Sequence, residues 1–128
     1  MTTSKLTRIP TDHGYSVAVV VPAGTRSLVF LSGQIGVDET GKIAPGGFEA
    51  EARQCFANLQ ATLERAGGTL EDVVRITFFL KDLADYSVYA KVRAEFFPVE
   101  QPTGTGIGIS LLALGARVEL EATAAIRT

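Results

Sequence analysis

The chain has 128 residues, with 12 basic side chains against 14 acidic ones and a single cysteine, Cys55. That length buries a core without disulfide or metal staples and fits a single domain over residues 1–128. The slightly acidic balance offers no positive field to gather phosphates, so no nucleic acid partner is expected. An unpaired cysteine suits a reducing compartment. The opening MTTSKLTRIPTDHG lacks the apolar run of a signal peptide, and Val17 to Val21, even continued through Pro22 and Ala23, is far short of the roughly 20 residues that span a bilayer. No membrane partner and a cytoplasmic location are the expectations.

Taken in order, Lys5 to Ile9 forms a short edge strand stopped by Pro10, and Asp12, His13 and Gly14 form a loop. Ser16 to Val21 and Leu28 to Ser32 make a hairpin around the turn residues Pro22 to Thr25. The glycine-rich stretch Gly33 to Gly47 is a loop with a turn at Asp38 to Gly41. From Phe48, the positions Ala52, Cys55, Phe56, Leu59, Leu63 and Ala66 recur at helical spacing, and Gly67 and Gly68 stop the helix. Val73 to Leu80 alternates as a strand. Asp82 caps a second helix whose stripe is Tyr86, Tyr89, Ala90 and Phe97, ended by Pro98. Thr105 to Leu112 and Ala116 to Ile126 are expected as a second hairpin around Ala113, Leu114 and Gly115. Two amphipathic helices over one face of a mixed β-sheet make an α+β fold.

Gly104, Gly106 and Gly108 precede no helix, which excludes a phosphate loop. Glycine at alternate strand positions bares one face, either for packing or for close approach of a ligand. Glu119 and Glu121 point the same way from one strand, either into solvent or toward a cleft where a carboxylate orients water or acts as acid or base. His13 is the only histidine, so histidine-based metal and serine–histidine chemistry have almost nothing to draw on. Cys55 sits on a helix stripe and belongs to the core. Arg93 falls on an apolar stripe and must snorkel to an edge or meet an anion. Arg75 and Thr77, with Phe79 among them, give the fourth strand a polar face that calls for solvent or a partner subunit.

The segments FLSGQIGVDETGKI, ERAGG, TLEDVVRITFFLKDLADY, AEFF and ARVELEATA, in this order and spacing, resemble the Rid family, the reactive intermediate deaminases or YjgF-like proteins. The similarity runs over nearly the whole chain. It implies a chorismate-mutase-like α+β fold, assembled as a homotrimer with small-molecule ligand clefts between subunits. It also implies cofactor-free hydrolysis of enamines or imines to ketones and ammonia, an arginine holding the substrate carboxylate and a glutamate positioning water. By position, Tyr15, Ser32 and Gly33 match cleft residues and Glu119 matches the glutamate. The arginine belongs to a Pro-x-Arg-Ser/Thr motif, and here Pro102, Thr103, Gly104 and Thr105 stand there, with glycine in the arginine's place.

The resemblance therefore implies a family member whose ligand is an enamine, imine or carbonyl metabolite other than the usual 2-imino acid. Glu119 is expected to act on water or a proton, and Tyr15, Ser32, Gly33 and the Thr103 to Thr105 backbone to bind the ligand. The alternatives are a deaminase using another cation, Arg93 or Arg117, with Phe79 also in the cleft, or a regulatory module that binds a metabolite without chemistry. A ribonuclease role, attached to some members, lacks a basic patch here.

Overall fold

The structure, a computed structural model, describes residues 5–127. Its regular elements are strands β1 (Thr7–Pro10), β2 (Ser16–Ala23) and β3 (Arg26–Ile35), helix α1 (Phe48–Arg65), strand β4 (Val73–Leu80), helix α2 (Tyr86–Phe96), and strands β5 (Thr103–Gly108) and β6 (Val118–Arg127). The strands form one six-stranded sheet in the order β1-β2-β3-β6-β4-β5. Only β4 and β5 are parallel; every other neighbouring pair is antiparallel.

The expected helical stripe explains α1. Ala52, Cys55, Phe56, Leu59 and Leu63 are buried. Beyond the last turn Gly67, at φ 95°, lets the Gly68 N–H reach back to the Leu63 carbonyl at 3.0 Å. The expected cap at Asp82 is found on the short 3-10 turn Leu83–Asp85 leading into α2, where its carboxylate accepts from the Ala84 N–H at 2.9 Å. Both helices cover the same sheet face. An aromatic cluster joins them there: Phe56 stacks on Phe96 at 5.1 Å, and Phe78 of β4 stacks on Tyr89 of α2 at 4.2 Å. Burying a ring fully, as at Phe56, contributes roughly 1.5–3 kcal/mol. The opposite face is uncovered, with Phe30 47% exposed at its centre.

The expected second hairpin does not form. β5 lies at the sheet edge, parallel to β4 through the α2 crossover, while β6 enters between β3 and β4 and pairs with both. Side-chain content explains the exchange. β6 buries Val118, Leu120, Ala122, Ala124 and Ile126 beneath the helices, so it belongs in the middle. β5 has glycine at every second position, little to bury, and a helix before it that returns the chain parallel. The 3-10 turn Ala113–Gly115, with Leu114 at φ 57°, closes the excursion between the two strands.

Candidate functional site

Side chains alternate across a strand, so register assigns each candidate to a face. Glu119 lies opposite Phe79 of β4 and Ile35 of β3, on the uncovered face. Gly104 lies opposite Ile76, which is buried beneath the helices. Glu119 and Gly104 are thus two strands apart and on opposite sides of the sheet, and one protomer does not bring them to one cleft. Thr105 pairs with Thr77 on the uncovered face.

The candidates fall into two groups. In the first, β3 bulges between Leu31 and Gln34, which sets Gly33 directly against the Glu119 side chain. The place a Cβ would take on Gly33 is occupied by the Glu119 carboxylate, so only glycine admits that rotamer. Ser32 donates its hydroxyl to the Ser16 carbonyl at 2.7 Å, tying the bulge to the start of β2 beside Tyr15. Tyr15 is 52% exposed, with its ring near that of His13 at 6.5 Å. Partial burial, and then the like charge of Glu121, hold the Glu119 carboxyl above its ordinary value of 4.5. A half-buried carboxylate of raised pKa, facing open space from a rigid strand, is placed to hold a water or take a proton.

The second group lines a cavity of about 630 Å³ between α2 and the β4–β5 edge. Thr103 and Gly104 stand at its β5 wall, and Arg93 enters it from α2. The other walls are largely apolar, among them Ile76, Phe78, Tyr86 and Phe97. The glycines of β5 divide in role. A Cβ on Gly106 would strike the Phe78 ring, so that glycine is a packing contact, whereas one on Gly104 would meet nothing nearer than the Ile76 carbonyl at 3.9 Å.

Sequence reasoning did not single out Glu51, which is fully buried and bonds twice to Arg117. Its carboxylate accepts from the Arg117 backbone N–H at 2.7 Å and from Nε at 2.8 Å. Arg117 is thereby committed and lies over the Phe48 ring at 6.0 Å. Cys55 is core, donating its thiol to the Gln34 carbonyl at 3.0 Å, and burial drives its pKa well up. Among the described residues no group of three or more histidine, cysteine or carboxylate side chains is arranged to hold a metal, and no helix is long and apolar enough to cross a membrane.

The six-stranded sheet with two helices on one face is a small α+β fold, and three comparisons give its family. Residues 6–126 match the family model described as Endoribonuclease L-PSP. A RutC family protein of Pyrococcus abyssi is 36% identical over 111 residues, covering 86% of this chain and 84% of that one. A 2-iminobutanoate/2-iminopropanoate deaminase of the mite Dermatophagoides farinae is 35% identical over 113 residues, 88% of this chain and 85% of its own. The crystal structure of RidA from an Antarctic Psychrobacter superposes with a TM-score of 0.80 at 35% identity, covering 93% of this chain and 94% of that one. The chain belongs to this Rid/YjgF family.

Proposed function

We propose that this protein hydrolyses an enamine, imine or related carbonyl-derived metabolite in clefts formed between copies of the chain, without a carboxylate anchor at position 104. The observation that carries the reading is the Glu119 carboxylate seated against Gly33, above its ordinary pKa, in a chain of this family. In the reaction, Glu119 takes a proton from water as the water oxygen bonds to the imine carbon. That proton passes to the nitrogen, giving a carbinolamine; the carbinol hydroxyl then gives up its own proton, which Glu119 relays to the nitrogen as the C–N bond breaks, and ketone and ammonia leave.

The division of candidates between two faces supports assembly. Tyr15 precedes β2 and Gly104 lies on β5, four strands apart, which is about 19 Å at ordinary strand spacing. The two groups meet in one cleft only if the Tyr15–Glu119 end of one copy faces the Gly104 edge of another. The uncovered sheet face, with Phe30 at its centre, is the surface available for a homotrimer core.

Glycine at 104 removes a charge-assisted pair of roughly 1.5–3 kcal/mol, so capture of a minimal 2-imino acid weakens by about one to two decades. The test generates 2-iminopropionate with an amino acid oxidase and follows pyruvate release with wild type, Gly104→Arg and Glu119→Gln. Slow release by the wild type, a gain in Gly104→Arg, and loss of about 10²–10⁴-fold in Glu119→Gln on whatever imine is processed are expected. Release of pyruvate by the wild type at the rate of a member with the arginine overturns the reading. Hydrolysis of no imine by any form, with a small ligand bound and left unchanged, makes the protein a metabolite-binding module instead.

A further inference from the structure

The arginine missing from β5 has a counterpart on α2. Arg93 is half-buried, its guanidinium 5.4 Å from the centre of the Tyr89 ring, and among the described residues it is the only charged side chain lining the cavity beside Gly104. Two nearby arginines are satisfied: Arg53 bonds Glu49 and Glu95, and Arg117 bonds Glu51. Among the described residues, Arg93 has no carboxylate partner. A guanidinium over an aromatic ring, half withdrawn from water and without a counter-ion, favours an anion more than an exposed one does, because the low-dielectric walls strengthen the attraction.

The walls then state what the anion carries with it. Phe78, Tyr86, Tyr89, Phe97, Ile76 and Leu83 surround the cavity, and the bare Gly104 leaves its β5 side open. At about 630 Å³ it is the size that encloses a small organic molecule rather than a single ion. The Tyr89 hydroxyl is buried in that wall without a hydrogen bond of ordinary length, while the Arg93 guanidinium, through its charge and its N–H groups, opposes the rise in pKa that burial imposes. An unpaired buried phenol is costly, and a bound molecule that brings it an acceptor relieves the cost. One guanidinium with no second cation suits a monoanion, gripped by two parallel N–H groups, better than a phosphate dianion.

We infer that the cavity between α2 and β5 binds a small monocarboxylate with an aromatic or branched apolar body, its carboxylate on Arg93 and its body among the rings. This deepens the proposed function, resting on it for the place of the reacting carbon near the cavity mouth, and it makes the substrate bulkier than the alanine-derived imine.

Titration calorimetry with the unreactive 3-phenylpropionate tests it, against the neutral 3-phenylpropanamide and the short propionate. Wild type is expected to bind the aromatic acid about 10- to 100-fold tighter than either comparison compound. Arg93→Gln loses that margin with amide binding unchanged, Arg93→Lys recovers part of it, and circular dichroism confirms that both variants fold. Equal binding of acid and amide, no effect of Arg93→Gln, or no binding of 3-phenylpropionate overturns the inference. A parallel assay of ketone release from alanine- and phenylalanine-derived imines separates it from the proposed function. Arginine-dependent binding without ketone release keeps this site and removes the activity; ketone release without arginine-dependent binding does the reverse.

Discussion

Arg117 and Arg93 both reach the helix-covered side of the sheet, and they end in opposite circumstances. Arg117 meets a fully buried carboxylate, Glu51, which also holds its backbone N–H, so its charge closes the junction between α1 and the start of β6. Arg93 meets the ring and hydroxyl of Tyr89 and a cavity, with no carboxylate partner among the described residues. A buried carboxylate with a committed arginine serves the fold, because removing either leaves the other's cost unpaid for by contacts. An arginine without a carboxylate beside an apolar hollow has its bonding capacity still to use. As sequence positions both are possible ligand cations; their surroundings separate them.

The strongest way to break this contrast is Arg117→Met. It leaves Glu51 buried with only a backbone N–H, and about 3 kcal/mol of stability is expected to be lost in urea unfolding, the low end of the range because the arginine itself is partly open to water. Gly36→Ala comes next. Its Cβ would press on the Glu51 carbonyl oxygen, which belongs to the α1 backbone and cannot swing aside, so a loss of about 1–3 kcal/mol is expected in the same measurement. Arg93→Gln sharpens the contrast from the other side: stability is expected within about 0.5 kcal/mol of wild type, since no buried partner is orphaned. A loss as large as that of Arg117→Met would make Arg93 a structural residue.

Glu119→Gln has the smallest effect on stability and a defined sign. Folding raises the Glu119 pKa, so over the interval from the ordinary value of 4.5 up to the folded value the native state binds more protons than the unfolded one, and stability falls as pH rises. Glutamine removes that loss. The variant is expected to melt slightly higher than wild type at pH 8, with the advantage shrinking as pH falls to the ordinary carboxylate range. In kcat/KM profiles of an imine that is processed, the acid limb is expected above 4.5, because the base must be ionised.

Much of the fold was legible because it rests on local pattern. The α1 stripe, the Gly67–Gly68 stop, the alternation of β4 and the Asp82 cap are short-range signals, and each is found. The placement of β5 and β6 was not legible, since their pairing depends on partners distant in sequence and on which strand has more to bury. Glu51 escaped notice for a similar reason. In α1 it stands among Glu49, Arg53 and Glu64 as an ordinary helix-surface charge, and only the approach of Arg117, 66 residues later, makes it interior. Of the candidate site, the grouping of Tyr15, Ser32 and Gly33 with Glu119 came through the family motifs, while strand parity alone would have left Glu119 and Glu121 equivalent. The helical stripe makes Arg93 an oddity in sequence, but the cavity beside it comes from tertiary packing.

The position of β6 also bears on how the chain reaches its native state. Without Val118 to Arg127, β3 and β4 would each lack a neighbour and the sheet would divide into two pieces, β1–β2–β3 and β4–β5. Each piece would then present an unpaired edge of the kind that invites pairing with other chains. Joining them takes β6 pairing with β3, far away in sequence, and such contacts carry the cost of bringing distant segments together. Mutations along β6 are therefore placed to change the yield of correctly assembled protein even where they leave the finished site untouched.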